Sequence, residues 1–166
     1  MTELRTSTSG KRMTIIRDFA APRQLVYDAF TDPDQLVKWW GPKGFTTKVT
    51  RMDVRPGGTW HYCMQSPEWG DSWGLSTYRE VTPPERIVYS DAFSDAERTV
   101  NQDLPVSVNT VTFHEDGGRT TLTIVTDYAS KEDLKKVLEM GVVEGMASQF
   151  ERLDELLAVA TSPYSH

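Results

Sequence analysis

The chain has 166 residues, a formal net charge of -6 and a hydrophobic content of 38%, which fit a single domain with its own core. The acidic balance argues against a nucleic-acid partner, because a phosphate backbone binds basic surfaces. Cys63 is the only cysteine, so an internal disulfide framework is excluded.

The ends of the chain predict its domain organisation and its location. No apolar run reaches the length of a membrane span, and the first twelve residues lack the apolar core of a secretory signal. We therefore expect a cytoplasmic protein that does not insert into membranes. Polar composition predicts a flexible tail over residues 1–12, a single domain over residues 13–160 and a short tail over residues 161–166.

The domain is expected to begin with a strand and two short helices. Apolar residues alternate over residues 13–19, which is typical of a strand. Pro22 and Pro33 each suit the first turn of a helix, where a missing backbone N–H costs nothing. The second of these helices is expected to end at Gly41.

Six further strands are predicted by apolar alternation, with turn sequences rich in glycine and proline between them. They cover residues 45–55, 59–65, 72–81, 86–93, 106–115 and 119–128. Short connections imply that neighbouring strands pair antiparallel. The exception is the polar stretch 94–105, which is long enough to act as a gate.

A long amphipathic helix is predicted over residues 130–158, where apolar residues recur at three- and four-residue steps and Ser130 can serve as the N-cap. At about 1.5 Å per residue, such a helix would be about 42 Å long. Gly141 and Gly145 lie on its apolar face, and each costs about 1 kcal/mol relative to alanine. Either the helix backbone closely approaches another element there, or the small residues leave space for an internal cavity.

The order of these elements predicts the fold class. A strand, two short helices, six strands and a long helix give an α+β protein in which a seven-stranded curved antiparallel sheet needs a cover on one face. Only the long C-terminal helix has the length to provide it. The expected architecture is therefore a helix-grip fold, in which a cavity would lie between the sheet and this helix.

Strand parity predicts which side chains face that cavity. Trp60, Tyr62 and Met64 share one parity, so His61 and Cys63 are expected on the outer face. No histidine is then placed to activate a nucleophile, and the spacing of histidines and cysteines does not suit a metal. We therefore predict no catalytic residue, no metal and no cofactor.

The predicted ligand-binding residues are large rings and aliphatic side chains of the inner sheet face, with small or polar residues of the covering helix. For any single ring, ordinary core packing is the better explanation, and the pocket is suggested only by the rings taken together. Asp91 follows the inward parity and is the candidate carboxylate, although it lies near a strand end. The residues are Phe30, Trp40, Trp60, Tyr62, Met64, Trp73, Leu75, Tyr89, Asp91, Val111, Phe113, Leu122, Ile124, Gly141, Gly145, Met146 and Gln149.

Five segments of the sequence, in order, carry a family resemblance. They are RDFAAPRQLVYDAFTDPDQLVKWWGPKGF at 17–45, DVRPGGTWHY at 53–62, YREVTPPERIVYSDAF at 78–93, VTFHEDGGRTTLT at 111–123 and EMGVVEGMASQFERLDELL at 139–157. Together they resemble the family of the activator of the ninety-kilodalton heat-shock protein ATPase homologue. That family lies within the START-like, birch-pollen-allergen-like superfamily, also called SRPBCC. The resemblance implies a sheet wrapped around a C-terminal helix, with a deep hydrophobic cavity between them.

The expected function is non-catalytic binding of a small hydrophobic molecule, such as a lipid, a sterol or a polyketide, in the internal cavity. One alternative is an enzyme of the cyclase or aromatase kind that uses Asp91, Arg79 or Tyr62 in the same cavity. Another is a module that contacts a chaperone ATPase, as the resemblance implies. The sequence is compatible with a monomer and with a homodimer.

Overall fold

The computed structural model describes residues 3–161, which form eight strands and four helices. The strands are β1 (Arg5–Ser9), β2 (Arg12–Phe19), β3 (Thr46–Met52), β4 (Thr59–Ser66), β5 (Gly70–Thr82), β6 (Arg86–Ser94), β7 (Ser107–Asp116) and β8 (Arg119–Tyr128). The helices are α1 (Arg23–Thr31), α2 (Pro33–Leu36), α3 (Lys131–Glu139) and α4 (Val142–Thr161).

All eight strands belong to one antiparallel sheet in the order β1-β2-β8-β7-β6-β5-β4-β3. The helices cover its inner face, and α4 spans 20 residues. The predicted α+β helix-grip architecture is confirmed. Among residues 3–161, no helix is both long and apolar enough to cross a membrane.

The predicted number of seven strands is wrong by one, because Arg5–Ser9 forms β1 and pairs antiparallel with β2. This strand lies inside the stretch predicted to be a flexible tail. Every side chain of β1 is exposed, so it has no apolar alternation that a reading of the sequence could detect. Gly10 lies in the two-residue turn between the strands with a φ of 61°, a value that favours glycine. Residues 1–2 and 162–166 of the predicted tails lie outside the described residues.

The predicted single helix over residues 130–158 is wrong in one respect, because two helices occupy this stretch. The Ser130 side chain accepts a hydrogen bond from the Asp133 N–H at 3.1 Å, so the predicted N-cap is confirmed. The chain then leaves the helical path at Gly141, whose φ is 87°. Glycine tolerates this left-handed conformation and commonly ends a helix in this way. Apolar periodicity continues on both sides of the break, so it gave no warning of it.

Aromatic rings fill most of the space between α4 and the sheet. Phe150 of α4 meets Phe19 of β2 edge to face, with ring centroids 5.5 Å apart. Trp39 is fully buried, lies 6.2 Å from Phe150 between ring centroids, and donates from its indole N–H to the Ala29 carbonyl at 2.9 Å. This part of the core is solid, so it holds the site in place but leaves no room for a ligand.

An ion pair between a buried arginine and a partly exposed aspartate ties the sheet to α4. Arg17 is on the inner face of β2, only 3% exposed, and its guanidinium forms a bidentate pair with the Asp154 carboxylate. It also donates to the Asp18 carbonyl at 2.8 Å. Two parallel hydrogen bonds fix direction as well as distance, so this pair sets the position of α4 over the strands.

Candidate functional site

A pocket of about 110 Å³ opens beside the junction of α3 and α4, where strands β4 to β8 present one end of the inner sheet face. We call it the Asp91 pocket, after the carboxylate in its wall. Its lining consists of Tyr62, Met64, Ser72, Trp73, Gly74, Asp91, Ala92, Phe93, Pro105, Ser107, Tyr128, Val137 and Val142.

The pocket exists because the inner face carries small residues at this end of the sheet. Residues paired across antiparallel strands share a face, and the register pairs Tyr62 with Gly74 and Asp91 with Ser107. The glycine and the serine occupy positions where the opposite end of the sheet carries large apolar side chains. The space they leave is the pocket.

Gly74 places the Tyr62 ring. A Cβ atom built on Gly74 would overlap the Tyr62 phenol, so the ring lies directly against the backbone of β5. From there the Tyr62 hydroxyl donates to Asp91 Oδ1 at 3.2 Å. The Ser76 hydroxyl donates to the same oxygen at 2.9 Å. Two neutral donors on neighbouring strands therefore hold the Asp91 carboxylate at the pocket wall.

Asp91 is a half-buried carboxylate with an altered acidity. Burial raises its pKa to about 6, while hydrogen bonds from Ser76, Tyr62 and the Ala92 backbone oppose part of that rise. Burial also raises the pKa of Tyr128 to about 12, so this phenol is neutral in the physiological range. Among the lining residues that the structure describes, none is a lysine, arginine or histidine. At neutral pH the pocket therefore carries one charge, and that charge is negative.

A polar network that the sequence analysis missed continues behind the pocket. The Asn109 side-chain amide donates to Ser107 Oγ at 3.1 Å, and the Thr126 hydroxyl donates to Asn109 Oδ1 at 2.8 Å. All three residues are buried on the inner face. Their sequence signal was a polar residue at an inward parity position, next to the apolar inward positions of the same strands.

Four of the predicted ligand-binding residues lie in the lining, namely Tyr62, Met64, Trp73 and Asp91. Most of the others are buried in the aromatic and aliphatic core instead of facing the pocket. These core residues are Phe30, Trp40, Trp60, Tyr89, Val111, Phe113, Leu122 and Ile124. Arg79, named for the enzyme alternative, is exposed and outside the lining.

The predicted inward orientation of Trp73 and Leu75 is wrong, and Trp73 borders the pocket from a strand position whose side chain is on the outer face. The register pairs these residues with Cys63 and His61, which are on the outer face as predicted. The Trp73 ring stacks on the His61 ring with centroids 4.9 Å apart. The prediction failed because it assigned the bulkier set of alternate β5 residues to the interior. The inner side of β5 is instead occupied by the small Gly74 and the residues of the same parity.

The outer face at this point is itself covered. His61 is only 2% exposed, and its Nε2 lies 2.9 Å from the carbonyl oxygen of Asp95 in the loop after β6. Its Nδ1 lies 2.5 Å from the Thr50 hydroxyl. Burial raises the pKa of the neighbouring Cys63 thiol, which lowers the fraction of reactive thiolate. His61 and Cys63 therefore have the surroundings of packed side chains and not those of a reactive site.

Gly141 and Gly145, predicted to make room for a ligand under the covering helix, are not in the pocket lining. A Cβ atom built on Gly145 would lie 3.5 Å from Pro42 Cγ, in the segment that follows α2. At Gly141, the helix break, an added Cβ would meet only the Glu144 carboxylate, at 3.7 Å. At Gly145 the helix therefore faces the segment after α2 and not the pocket, with room for a Cβ atom.

Gln149 and Met146 belong to the same contact with the segment after α2. The Gln149 side-chain oxygen accepts from the Gly41 N–H at 2.9 Å, and its amide nitrogen lies 3.3 Å from the Met146 sulfur. Neither residue is in the pocket lining. The α3–α4 junction supplies Val137 and Val142 to the wall in their place.

The described residues limit the chemistry that the site can support. Within 3–161, no group of three or more His, Cys, Asp or Glu side chains could hold a metal ion. In the pocket, Asp91 can accept hydrogen bonds, hold a cation or take up a proton near its pKa of about 6. The apolar lining can remove a small ligand body from water.

Comparison with solved structures finds close relatives in bacteria. The crystal structure of protein Ms6760 from Mycobacterium smegmatis has 36% sequence identity and a TM-score of 0.86, over 99% of each chain. A solution structure from Arthrobacter aurescens has 26% identity and a TM-score of 0.87, over 98% of this chain and 97% of that one. One from Staphylococcus epidermidis has 26% identity and a TM-score of 0.83, over 97% and 98%.

A search among curated proteins found no match. A family model does match, over residues 20–158, and its description is Activator of Hsp90 ATPase homolog 1-like protein. The match covers both short helices, the six strands β3 to β8, α3 and nearly all of α4. The chain therefore belongs to the family of Activator of Hsp90 ATPase homolog 1-like proteins.

Proposed function

We propose that this protein binds a small organic molecule in the Asp91 pocket without transforming it. The observation that carries the proposal is the convergence of apolar side chains on one half-buried carboxylate at an open pocket. Binding sites for small molecules commonly combine an apolar wall with a few placed polar groups. Burial of the ligand's apolar surface would supply affinity, and Asp91 would fix its orientation.

The volume of about 110 Å³ sets the size of the ligand. Pockets for drug-sized molecules usually measure about 300–1,000 Å³, whereas a cavity of about 150 Å³ holds a benzene ring. A sterol would have to displace core rings such as Trp60, which is only 3% exposed. We therefore favour a compact ligand over the sterol, lipid or polyketide classes that the family resemblance implied.

The ligand would enter beside the loop between β6 and β7. Pro105 of this loop lines the pocket together with Val137 and Val142. Lys136 of α3 donates to the Asp103 carbonyl oxygen at 3.2 Å, which links the loop to the helix next to the pocket. Because the Lys136 side chain is exposed, breaking this single hydrogen bond costs little free energy.

The substitution Val142→Phe tests the location of the site. The phenyl ring should fill part of the pocket and weaken binding of compact ligands roughly tenfold or more, since each lost methylene-sized contact is worth about 0.8 kcal/mol. Tryptophan fluorescence and calorimetry on a panel of compact cyclic molecules would measure the effect. Val159→Phe is the matched control, because Val159 lies on the same helix with 64% of its surface exposed. Equal affinity in both variants would contradict this location.

A second candidate function is contact with a heat-shock ATPase, which the family description names. The observation that favours it is Trp69, which is 75% exposed in the turn between β4 and β5. Exposed aromatic side chains are common anchors of protein interfaces. Co-precipitation with the chaperone and an ATPase assay, each with wild type and Trp69→Ser, would test it. Loss of both signals in the variant supports this function, and no capture by the wild type contradicts it.

A further inference from the structure

We infer that the Asp91 pocket selects a protonated amine, a compact ammonium ion whose N–H groups donate to the Asp91 carboxylate while its apolar body contacts Phe93 and Val142. This inference rests on the proposed function and names the chemical class of the ligand. It follows from the charge, the hydrogen bonding and the aromatic content of the lining.

The first argument is that Asp91 lacks a cationic partner. Within residues 3–161, Asp91 forms no ion pair with a lysine, arginine or histidine. Its Oδ1 accepts from Ser76 and Tyr62, its Oδ2 lies 3.4 Å from the Tyr62 hydroxyl, and the Ala92 backbone N–H also donates to the carboxylate, so every donor is neutral. A carboxylate withdrawn from water without a counter-charge is costly, and a ligand cation removes that cost. Oδ2 keeps the capacity to accept the ligand's N–H groups.

The second argument is the character of the wall around the carboxylate. Tyr62, Phe93 and Tyr128 bring aromatic rings to a pocket that has no basic side chain in its described lining. Aromatic faces attract cations, and the attraction grows when water is excluded. A ligand carboxylate, by contrast, would meet Asp91 as a like charge. The pocket should therefore prefer an ammonium ion to a neutral isostere, and a neutral isostere to an anion.

The experiment uses three probes that share one ring and differ in charge, namely cyclopentylammonium, cyclopentanol and cyclopentanecarboxylate. Calorimetry and amide NMR shifts at pH 7.5 should show about tenfold or greater preference for the ammonium ion over the alcohol, since hydrogen bonds to charged groups are the stronger ones. Asp91→Asn should abolish this preference and leave the alcohol bound. Asp116→Asn is the matched control, because it removes one carboxylate at the opposite end of β7, about 30 Å from Ser107.

A second measurement needs no variant, so it decides the matter even if Asp91→Asn fails to fold. The groups that face Asp91 from the packed strands are the hydroxyls of Ser76 and Ser107 and the phenols of Tyr62, Tyr89 and Tyr128, while α3 and α4 contribute valines. Only the carboxylate titrates in acid. Affinity for cyclopentylammonium should therefore fall, by up to about tenfold per pH unit, below a pH of about 6.

The outcomes separate this inference from the proposed function. If the alcohol binds as tightly as the ammonium ion, and Asp91→Asn changes neither affinity, the inference is overturned while the pocket remains a binding site. If none of the three probes binds the wild-type protein, the inference and the proposed pocket both fail. A preference that disappears with Asp91→Asn and falls in acid supports the inference.

Discussion

Replacing Gly74 with alanine is expected to lower the free energy of unfolding by about 2 kcal/mol and to disorganise the Asp91 pocket. The new Cβ would overlap the Tyr62 phenol, and that ring cannot turn aside freely. It lies 4.6 Å from the Trp60 ring and 5.9 Å from the Trp40 ring, measured between centroids. Movement of the Tyr62 hydroxyl would also remove one donor to Asp91.

Urea denaturation measures the loss of stability, and NMR titration of the Asp91 carboxyl measures the loss of the donor. The pKa of Asp91 should rise beyond about 6, because the Tyr62 hydrogen bond normally lowers it. Gly145→Ala is the control. Gly145 lies within α4, and the new Cβ would make an ordinary contact with Pro42. That variant should gain up to about 1 kcal/mol from helix propensity. A Gly74→Ala protein as stable as the wild type would refute the packing described for Tyr62.

Replacing Asp91 with asparagine is expected to stabilise the protein at pH 7.5 by on the order of 2 kcal/mol. The pKa of Asp91 is raised from 3.8 to about 6 in the folded state, so folding favours the protonated form. The wild type therefore loses stability as the pH rises from about 4 through about 6, and it pays that cost in full at neutral pH. Asparagine keeps an oxygen that accepts from Ser76 and Tyr62, and it carries no charge.

Unfolding in urea at pH 4, 5.5 and 7.5 tests this expectation. The advantage of Asp91→Asn should shrink towards zero near pH 4, where both side chains are neutral. Asp116→Asn, at the exposed end of β7, should stay within about 0.5 kcal/mol of the wild type. An advantage of Asp91→Asn that is independent of pH would mean that burial of the charge is not its cause. Stability sacrificed at a polar side chain is a common property of binding sites.

Apolar periodicity predicted the fold well because it reports burial directly. It placed the seven apolar strands, the short helices and the N-cap at Ser130. It missed β1, whose side chains are all exposed, and the break at Gly141, which depends on one backbone angle. Neither feature buries a repeating apolar side chain, so neither leaves a periodic signal.

The site was harder to predict, because a pocket depends on what is small. Parity correctly placed Tyr62 and Asp91 on the inner face, where they form a hydrogen bond. The same reasoning put Trp73 inside, because it treated bulk as evidence of burial in the interior. The inward residue was its neighbour Gly74, which only the register with β4 reveals. Register and ring placement arise from tertiary packing, which one sequence does not display.

The break at Gly141 has a mechanical consequence for the size of molecule that this protein can admit. Only Met140 and Gly141 join α3 to α4, so we expect α3 to be able to change its angle at this joint while Phe150 and Leu153 hold α4 on the sheet. Such a movement would carry Val137 away from the strands and enlarge the chamber from one side. The size of the molecule that can bind would then depend on the angle between α3 and α4 as well as on the packed core.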